Sequence, residues 1–255
     1  MPAVADDAPV ALVTGAAQGL GRVIATRLAH DGHRTVVNDL AASDHLTDLA
    51  DRIGGLAVAA DIADPDQVAA LVSEVTQRFG HVDVLVANHA AMAMAPFLDM
   101  EPAEWWHMIE VNLSGTFRLV QAVLPGMRAA GGGRIVIIAS EAGVVGMRNA
   151  TAYSASKGGL IALTKSLARE LAPEGIVTNA IAPSFVDTPQ LQVDAADAGV
   201  SIEEMRSRGA AQIPLGRIAR TEEIAAVAAF LAGPDAGSLV GQVLQPNGGS
   251  TRARA

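Results

Sequence analysis

The chain has 255 residues, of which 50% are hydrophobic and 18% are charged. This composition suits a packed core and excludes disordered, collagen-like and disulfide-stapled chains. It contains no cysteine, which excludes thiol nucleophiles and thiolate metal sites, and its net charge of −9 disfavours a nucleic-acid partner. The apolar runs are shorter than the ~20 residues that span a bilayer, and Asp6 and Asp7 replace the basic start of a secretory signal. We therefore expect a cytoplasmic protein without a membrane partner.

Short apolar segments alternate with helical patterns along almost the whole chain. The predicted strands cover residues 10–14, 34–38, 56–60, 84–87, 134–139, 176–180 and 242–245. The predicted helices cover residues 20–30, 42–53, 65–80, 102–129, 152–172 and 221–231. Continuous apolar strands joined by helical crossovers predict a parallel seven-stranded sheet covered by helices on both faces. The expected fold is therefore a doubly wound, Rossmann-type α/β fold, with residues 1–255 forming a single domain.

One segment, residues 184–217, fits no strand–helix unit. Ligands of such sheets bind outside the carboxyl ends of the strands, and this segment follows the sixth strand. We therefore predict that it extends over the sheet edge and covers a bound substrate.

A glycine-rich segment links the first strand to the first helix. Such a turn can be a mere tight connection, but between a strand and a helix it also lets backbone N–H groups approach a pyrophosphate. The position favours the second interpretation, and the residues expected to contact a dinucleotide are Gly15, Gln18, Gly19, Leu20 and Gly21.

Acidic residues follow the next two strands. Asp39 lies 18 residues after Gly21, where a carboxylate binds an adenosine ribose. Its charge would repel a 2′-phosphate, and no basic residue flanks it or replaces Gln18, so NAD is favoured over NADP. Asp61 either accepts a hydrogen bond from the adenine amino group or caps a helix, and the sequence weights the two equally.

Tyr153 is the only tyrosine in the chain, and Lys157 follows it on the same helical face. Bringing a phenol from its usual pKa of ~10 to about 7 takes about 4 kcal/mol. An ammonium ~4 Å away supplies about that much at an effective dielectric constant of ~20. An isolated pair of this spacing is more often a half-buried tyrosine beside a surface cation. Ser140 at the end of the fifth strand, on the same sheet edge as the glycine loop, favours a proton-transfer site.

Together these residues resemble the short-chain dehydrogenase/reductase family over nearly the whole chain. The resemblance implies that Ser140 holds the substrate oxygen, Tyr153 exchanges its proton, and Asn112 anchors a proton-relay water. It implies that Lys157 binds the nicotinamide ribose and lowers the tyrosine pKa. It assigns further cofactor contacts to Asp61, Ile62, Asn88, Tyr153, Pro183, Val186 and Thr188, with Thr188 on the carboxamide.

The chain departs from the family pattern at three points. The usual Asn-Ala-Gly after the fourth strand is Asn88-His89-Ala90, the usual Pro-Gly is Pro183-Ser184, and the usual Asp-Gly-Gly is Asn247-Gly248-Gly249. His89 could bind substrate or titrate near neutral pH, but we expect it to pack, because an acid and a base are already present. No metal site is expected, since the other histidines lack paired acidic ligands.

The substrate side is expected to be apolar. The matching positions are Met92, Met94, Val145, Met147, Phe185 and Met205, although some of these methionines could be core filler. They predict an NAD-dependent enzyme that interconverts a hydrophobic secondary alcohol and its ketone, with Tyr153 as acid and base.

Two other functions compete with this prediction. One is NADPH-dependent reduction of 3-oxoacyl chains on an acyl carrier protein, which needs a basic docking surface near the active-site rim, where Glu174 is acidic. The other is a non-catalytic dinucleotide-binding sensor, which needs no proton relay. The apolar faces of the helices over residues 102–129 and 152–172 further predict a homo-oligomer, with a tetramer favoured.

Overall fold

The computed structural model describes residues 5–251, and its centre is one parallel sheet. The strands are β1 (Val10–Val13), β2 (Arg34–Asp39), β3 (Leu56–Ala59), β4 (Val84–Ala87), β5 (Gly133–Ile138), β6 (Ile176–Ile181) and β7 (Val243–Leu244). Their order is β3-β2-β1-β4-β5-β6-β7, and every neighbouring pair is parallel. This order confirms the doubly wound fold. The single-domain assignment stays a prediction, and its ends, residues 1–4 and 252–255, lie outside the described residues.

The helices follow the predicted alternation with strands. They are α1 (Gly19–His30), α2 (Asp44–Ile53), α3 (Pro65–Phe79), α4 (Pro102–Ile109), α5 (Gly115–Ala130), α6 (Ala142–Val145), α7 (Thr151–Leu171), α8 (Gln190–Asp197), α9 (Ile202–Ala210) and α10 (Thr221–Ala232). The start of α3 is as predicted, because Asp64 accepts hydrogen bonds from the backbone N–H groups of Asp66 and Gln67 and Pro65 opens the first turn.

Successive side chains of each strand point to opposite faces of the sheet and pack into two apolar cores. One core joins Val10 and Leu12 of β1 to α3, α5 and α7, and the other joins Ala11 and Val13 to α1, α2 and α10. Burial of both faces explains why the strands read as unbroken apolar runs. Among residues 5–251, no helix combines the length and apolar character that crossing a membrane requires.

Two predicted elements differ from the structure. The helix expected over residues 102–129 is divided into α4 and α5 by a π-helical turn, Glu110–Ser114. The segment over residues 184–217, for which no helix was predicted, contains α8 and α9. Its charged, short helices carry weak apolar periodicity, so local pattern did not reveal them.

Candidate active site

The predicted site residues gather where the parallel strands end. The glycine loop follows β1, Asn88 follows β4, Ser140 follows β5 and Pro183 follows β6, while Asp39 is the last residue of β2. Because all these strands are parallel, their carboxyl ends share one edge of the sheet. The sequence therefore places the cofactor and catalytic candidates on the same edge.

The glycine loop leaves no room for side chains where it turns into α1. Gly15 and Gly19 have φ values of 61° and 56°, which favour glycine. A Cβ added to Gly21 would overlap the carbonyl oxygen of Gly15. A bare backbone that leads into a helix N-terminus fits a pyrophosphate, so this chain's residues suit a dinucleotide.

Asn88 holds the glycine loop to the end of β4. Its Nδ2 donates to the carbonyl oxygens of Thr14, at 3.1 Å, and Gly15, at 3.0 Å. The amide is thus engaged within the protein. Asn88 therefore stabilises the glycine loop, and its direct contact with the cofactor stays a prediction.

Asp39 presents its carboxylate beside the same loop. Oδ2 accepts from the Ala17 N–H at 2.8 Å, and Oδ1 accepts from the Leu40 N–H at 2.8 Å. These two bonds fix the carboxylate at the open edge, where each oxygen retains a lone pair. Such a group can accept from ribose hydroxyls.

Asp61 and Ile62 follow β3. Asp61 does not cap α3, since Asp64 does so, and its Oδ1 accepts from the Ala63 N–H at 2.8 Å in a local turn. Helix capping is therefore excluded for Asp61, and the adenine contact stays a prediction. Ile62 is buried against Gly115, where an added Cβ would stand 2.7 Å from its Cγ2.

Tyr153 and Ser140 meet at the centre of the site. Burial raises the pKa of Tyr153, the Asp194 carboxylate raises it further, and a hydrogen bond with Ser140 acts in the opposite direction. Ser140 is itself held by the Ala142 N–H, which donates to its Oγ at 3.1 Å. At neutral pH the phenol is therefore protonated and adjacent to the serine hydroxyl.

Lys157 is almost fully buried, with 1% of its surface exposed. Its Nζ donates to the Ile138 carbonyl oxygen at 2.8 Å and lies 5.6 Å from the centre of the Tyr153 ring. Burial lowers the pKa of Lys157 to about 8.

Lys157 by itself does not bring the tyrosine pKa toward 7, and the lowering expected with a bound nicotinamide stays a prediction. The ammonium of Lys157 is directed to a backbone carbonyl at the end of β5 and faces the ring of Tyr153. Desolvation of the phenol therefore dominates, and the pKa of Tyr153 lies above its ordinary value.

Asn112 lies in the π-helical turn and is fully buried. Its Oδ1 accepts from the Ala91 N–H at 2.7 Å, and its Nδ2 donates to the Ala91 carbonyl at 2.9 Å and to Ser156 Oγ at 2.9 Å. Its side-chain amide is thus fully engaged within the protein. The relay water implied by the resemblance stays a prediction, and a backbone carbonyl in this turn would have to hold it.

His89 is buried beneath the glycine loop. Its Nδ1 lies 2.8 Å from the Thr14 hydroxyl, its Nε2 lies 3.4 Å from the Thr116 hydroxyl, and the ring also forms a hydrogen bond with the Val111 backbone. Burial and the charge of Lys157 lower the pKa of His89 to about 3, so the imidazole is neutral at physiological pH. This environment supports packing as the role of His89.

The predicted substrate-side residues form two groups. Met92 and Met94 precede Ala95, whose N–H donates to the Asn149 carbonyl at 2.8 Å, so this segment lies beside the turn that carries Met147. Met147 and Met92 are half-buried, whereas Met94 and Val145 are exposed.

The second group lies in the segment over residues 184–217. Phe185 packs beside Gly209 of α9, the helix that also carries Met205. Val186 pairs with Ala219, Thr188 lies beside Gly19, and Pro183 is buried where its carbonyl accepts from the Glu141 N–H at 2.8 Å. Thr188 and the glycine loop are thus brought together, as a shared ligand requires.

Comparison with known proteins places the chain in a family. A family model described as enoyl-(acyl carrier protein) reductase matches residues 15–251. A cis-4-hydroxycyclohexanecarboxylate dehydrogenase from Sinomonas cyclohexanicum is 41% identical over 95% of this chain and 96% of its own length. The 3-oxoacyl-(acyl-carrier-protein) reductase of Vibrio cholerae is 37% identical over 94% of this chain and 96% of its own length. The chain belongs to the short-chain dehydrogenase/reductase family.

A solved structure of another member supports the same assignment. A single-substitution variant of actinorhodin polyketide ketoreductase with NADPH superposes with a TM-score of 0.93 and 35% identity, covering 98% of this chain and all of that one. The present chain is thus a short-chain dehydrogenase/reductase oxidoreductase, and its cofactor is a nicotinamide dinucleotide.

Several residues around this short-chain dehydrogenase site were not predicted from the sequence. Ser156 binds Asn112 and donates to the Tyr153 carbonyl at 2.8 Å, and Thr116 lies beside His89. Ser156 does lie three residues after Tyr153, one helical turn on, which is a detectable spacing. The charge of Asp194, on α8, raises the pKa of Tyr153, and only the folded chain reveals that effect.

Proposed function

We propose that this oxidoreductase interconverts a secondary alcohol on a hydrophobic body and its ketone, using NAD(H). The observation that carries the cofactor choice is the Asp39 carboxylate, which the Ala17 N–H orients at the end of β2. A 2′-phosphate beside this carboxylate would place like charges together, whereas ribose hydroxyls would donate to it.

The protein's own groups divide the work of the reaction. When bound, the dinucleotide supplies or accepts the hydride. Tyr153 is protonated at neutral pH, because burial raises its pKa, and it therefore donates its phenolic proton to a carbonyl oxygen during reduction. Ser140 donates a second hydrogen bond to that oxygen, and the Lys157 ammonium stabilises the tyrosinate that remains.

A second candidate is NADPH-dependent reduction of 3-oxoacyl groups on an acyl carrier protein. The names of the bacterial reductase relatives favour it over the first candidate. One argument against it has to be corrected. Glu174 precedes β6, so it lies at the amino edge of the sheet, opposite the active site, and not at the rim.

At that amino edge, Glu174 forms an ion pair with an exposed arginine. Arg128 Nη2 donates to Glu174 Oε1 at 2.8 Å, and Arg128 Nε donates to Glu174 Oε2, so this exposed arginine is neutralised by its neighbour. This pair lies at the edge of the sheet opposite the active site, so it does not bear on carrier docking at the active-site rim.

Cofactor and substrate preference separate the two candidates. Purified protein is assayed with NADH and NADPH against 4-oxocyclohexanecarboxylate and against a 3-oxoacyl thioester. We expect kcat/KM at least about 10-fold higher with NADH, because like-charge repulsion at Asp39 penalises NADPH. Asp39→Ser should reduce this preference, while Asp66→Ser, an exposed residue on α3, should leave it unchanged. A wild-type preference for NADPH together with the thioester would establish the second candidate.

Removing the phenolic hydroxyl tests the chemistry. We expect Tyr153→Phe to lower kcat by about 10²- to 10⁴-fold, the usual contribution of a positioned acid, while NADH binding measured by fluorescence is retained. Equal turnover by the two proteins would contradict the proposed role of Tyr153. Binding without turnover in both would instead indicate a sensor.

A further inference from the structure

A polar turn near the carboxyl end of the chain contacts the loop that carries Ser140. We define the C-terminal turn as residues 247–251, which follow β7. The Ser250 hydroxyl donates to Oε1 of Glu141, and Asn247 Nδ2 lies 3.4 Å from the same oxygen. Glu141 is the residue directly after Ser140, and it lies 106 residues from Asn247.

The backbone of Glu141 holds a second connection. Its N–H donates to the Pro183 carbonyl at 2.8 Å, and its own carbonyl accepts from the N–H groups of Val144 and Val145. Glu141 therefore links the end of β5, the end of β6 and the C-terminal turn. A shift of its carboxylate would be transmitted directly to Ser140.

The other side of the C-terminal turn contacts the segment predicted to cover the substrate. The Leu215 N–H donates to the Gly248 carbonyl at 3.1 Å. A Cβ on Gly248 would overlap Ile213 and would stand 3.1 Å from Leu215, and one on Gly249 would stand 3.4 Å from Pro214. Nearby, a cavity lined partly by Phe185, Ile213 and Leu215 leaves the base of this segment incompletely packed. The position of the segment over residues 184–217 therefore depends strongly on the C-terminal turn.

Asn247 is suited to this place because it both donates and accepts. It is buried, its Oδ1 accepts from the Gly249 N–H at 3.0 Å, and its Nδ2 also donates to the Thr251 hydroxyl at 2.8 Å and carbonyl at 3.2 Å. An aspartate, the usual residue of the family here, would set a second carboxylate against Glu141 and would lose every donation from Nδ2.

We infer that Glu141 is a positioning residue. Its contact with Asn247 fixes the C-terminal turn against the residue that follows Ser140. The contact thereby holds both Ser140 and the base of the substrate-covering segment in position. This inference rests on the proposed function only for its kinetic effect. Loss of the contact should lower kcat through Ser140 and raise KM through the covering segment, since small misplacements reduce rates strongly.

The test uses the full-length protein and the ketone that the wild type reduces with NADH. We expect Asn247→Asp to lower kcat/KM by about 10- to 100-fold, with both kcat and KM affected. The double variant Glu141→Gln with Asn247→Asp should recover most of this loss, because the glutamine amide can donate to the new carboxylate. Glu74→Gln, an exposed glutamate on α3, is the matched control and should behave as wild type.

Amide hydrogen exchange tests the same contact without turnover. In Asn247→Asp we expect faster exchange at Leu215 and in α9, with β4 unchanged and with recovery in the double variant. If Asn247→Asp does not fold, Glu141→Ala removes the same contact and should give the same kinetic and exchange pattern, while Glu141→Gln stays near wild type.

Two results would overturn the inference. One is unchanged kcat, KM and exchange in the variants, and the other is a lowered melting temperature with wild-type kinetics, which would mark a purely structural contact. A wild-type protein that reduces none of the probe ketones would contradict the proposed function, and the exchange experiment would still decide the role of Glu141.

Discussion

Two buried ionisable side chains near the site depart from their ordinary protonation behaviour. Lys157 and His89 are both removed from water, and burial is the largest cause of the lowered pKa of each. The charge of Lys157 also disfavours a second positive charge on His89. The site therefore keeps one ammonium and one neutral imidazole at neutral pH.

Lys157→Met should abolish activity without loss of stability. With a pKa of about 8 against 10.5, the buried ammonium costs about 3 kcal/mol of folding free energy at pH 7. Between pH 8 and 10 the unfolded chain binds more protons, so wild-type stability should rise with pH, and the variant should lack this rise. Urea unfolding at pH 7 and 9 measures both effects, with the exposed Lys165→Met as control. A large drop in the midpoint for Lys157→Met would contradict this account.

His89 should contribute to acid sensitivity. Its pKa is about 3 in the folded chain and ordinarily 6.5, so the unfolded chain binds the extra proton first as the pH falls. Stability should therefore decrease by about 3 kcal/mol between pH 6.5 and 4 through this residue. Unfolding titrations of His89→Gln should show a smaller decrease, and the exposed His30→Gln should match wild type. An imidazole that titrates between pH 5 and 8 by NMR would refute the buried neutral state.

At the scale of elements, two backbone features shape the site. The π-helical turn between α4 and α5 aims Asn112 at Ala91 and Ser156. The close approach of Gly21 to Gly15 sets how tightly β1 turns into α1. Both are local features of the backbone. The first orients a predicted catalytic side chain, and the second sets the shape of the loop that is expected to bind the dinucleotide.

Gly21→Ala should weaken dinucleotide binding. The added Cβ would overlap the Gly15 carbonyl, so the loop has to open and its N–H groups lose their alignment. We expect the Kd for NADH to rise by at least about 10-fold, the effect of losing roughly one charge-assisted hydrogen bond. Gly126→Ala in α5 is the control, because the Cβ added there would lie 3.1 Å from the Cβ of His81 and would not overlap any backbone atom. Unchanged NADH titration of Gly21→Ala would show that the phosphates bind elsewhere.

At the scale of the whole molecule, the described chain exposes large apolar side chains around α4. Phe97 is 70% exposed, Leu98 is 92% exposed and Trp106 is 65% exposed. Exposed apolar groups of this density are typical of an interface between chains. The homo-oligomer predicted from the helical faces therefore stays our expectation, with this surface taking part.

Replacing Leu98 and Trp106 by glutamate should dissociate the oligomer. Burying two carboxylates without partners would cost more free energy than burial of the apolar interface contributes. Sedimentation velocity of the double variant should show a smaller species than wild type, with unchanged circular dichroism. The exposed Val193→Glu on α8 serves as control, and a wild-type chain that sediments as a monomer would refute the expectation.

Much of the fold and part of the site followed from local sequence pattern. The seven strands and the positions of the glycine loop, Ser140, Tyr153 and Lys157 depend on apolar periodicity and on spacings of a few residues, which a single sequence displays. The helix predicted over residues 102–129 is present, but the π-helical turn between α4 and α5 was not predicted, because such a turn leaves the apolar periodicity almost unchanged.

The sequence by itself determined which residues reach the carboxyl edge of the sheet, because parallel strands and short connections leave no alternative. Only the tertiary structure decided what each of them faces there. Lys157 donates to Ile138, His89 is neutral between Thr14 and Thr116, and Glu141 contacts a turn 106 residues away. Burial and long-range partners set protonation and orientation, and these depend on the packed chain and not on local periodicity.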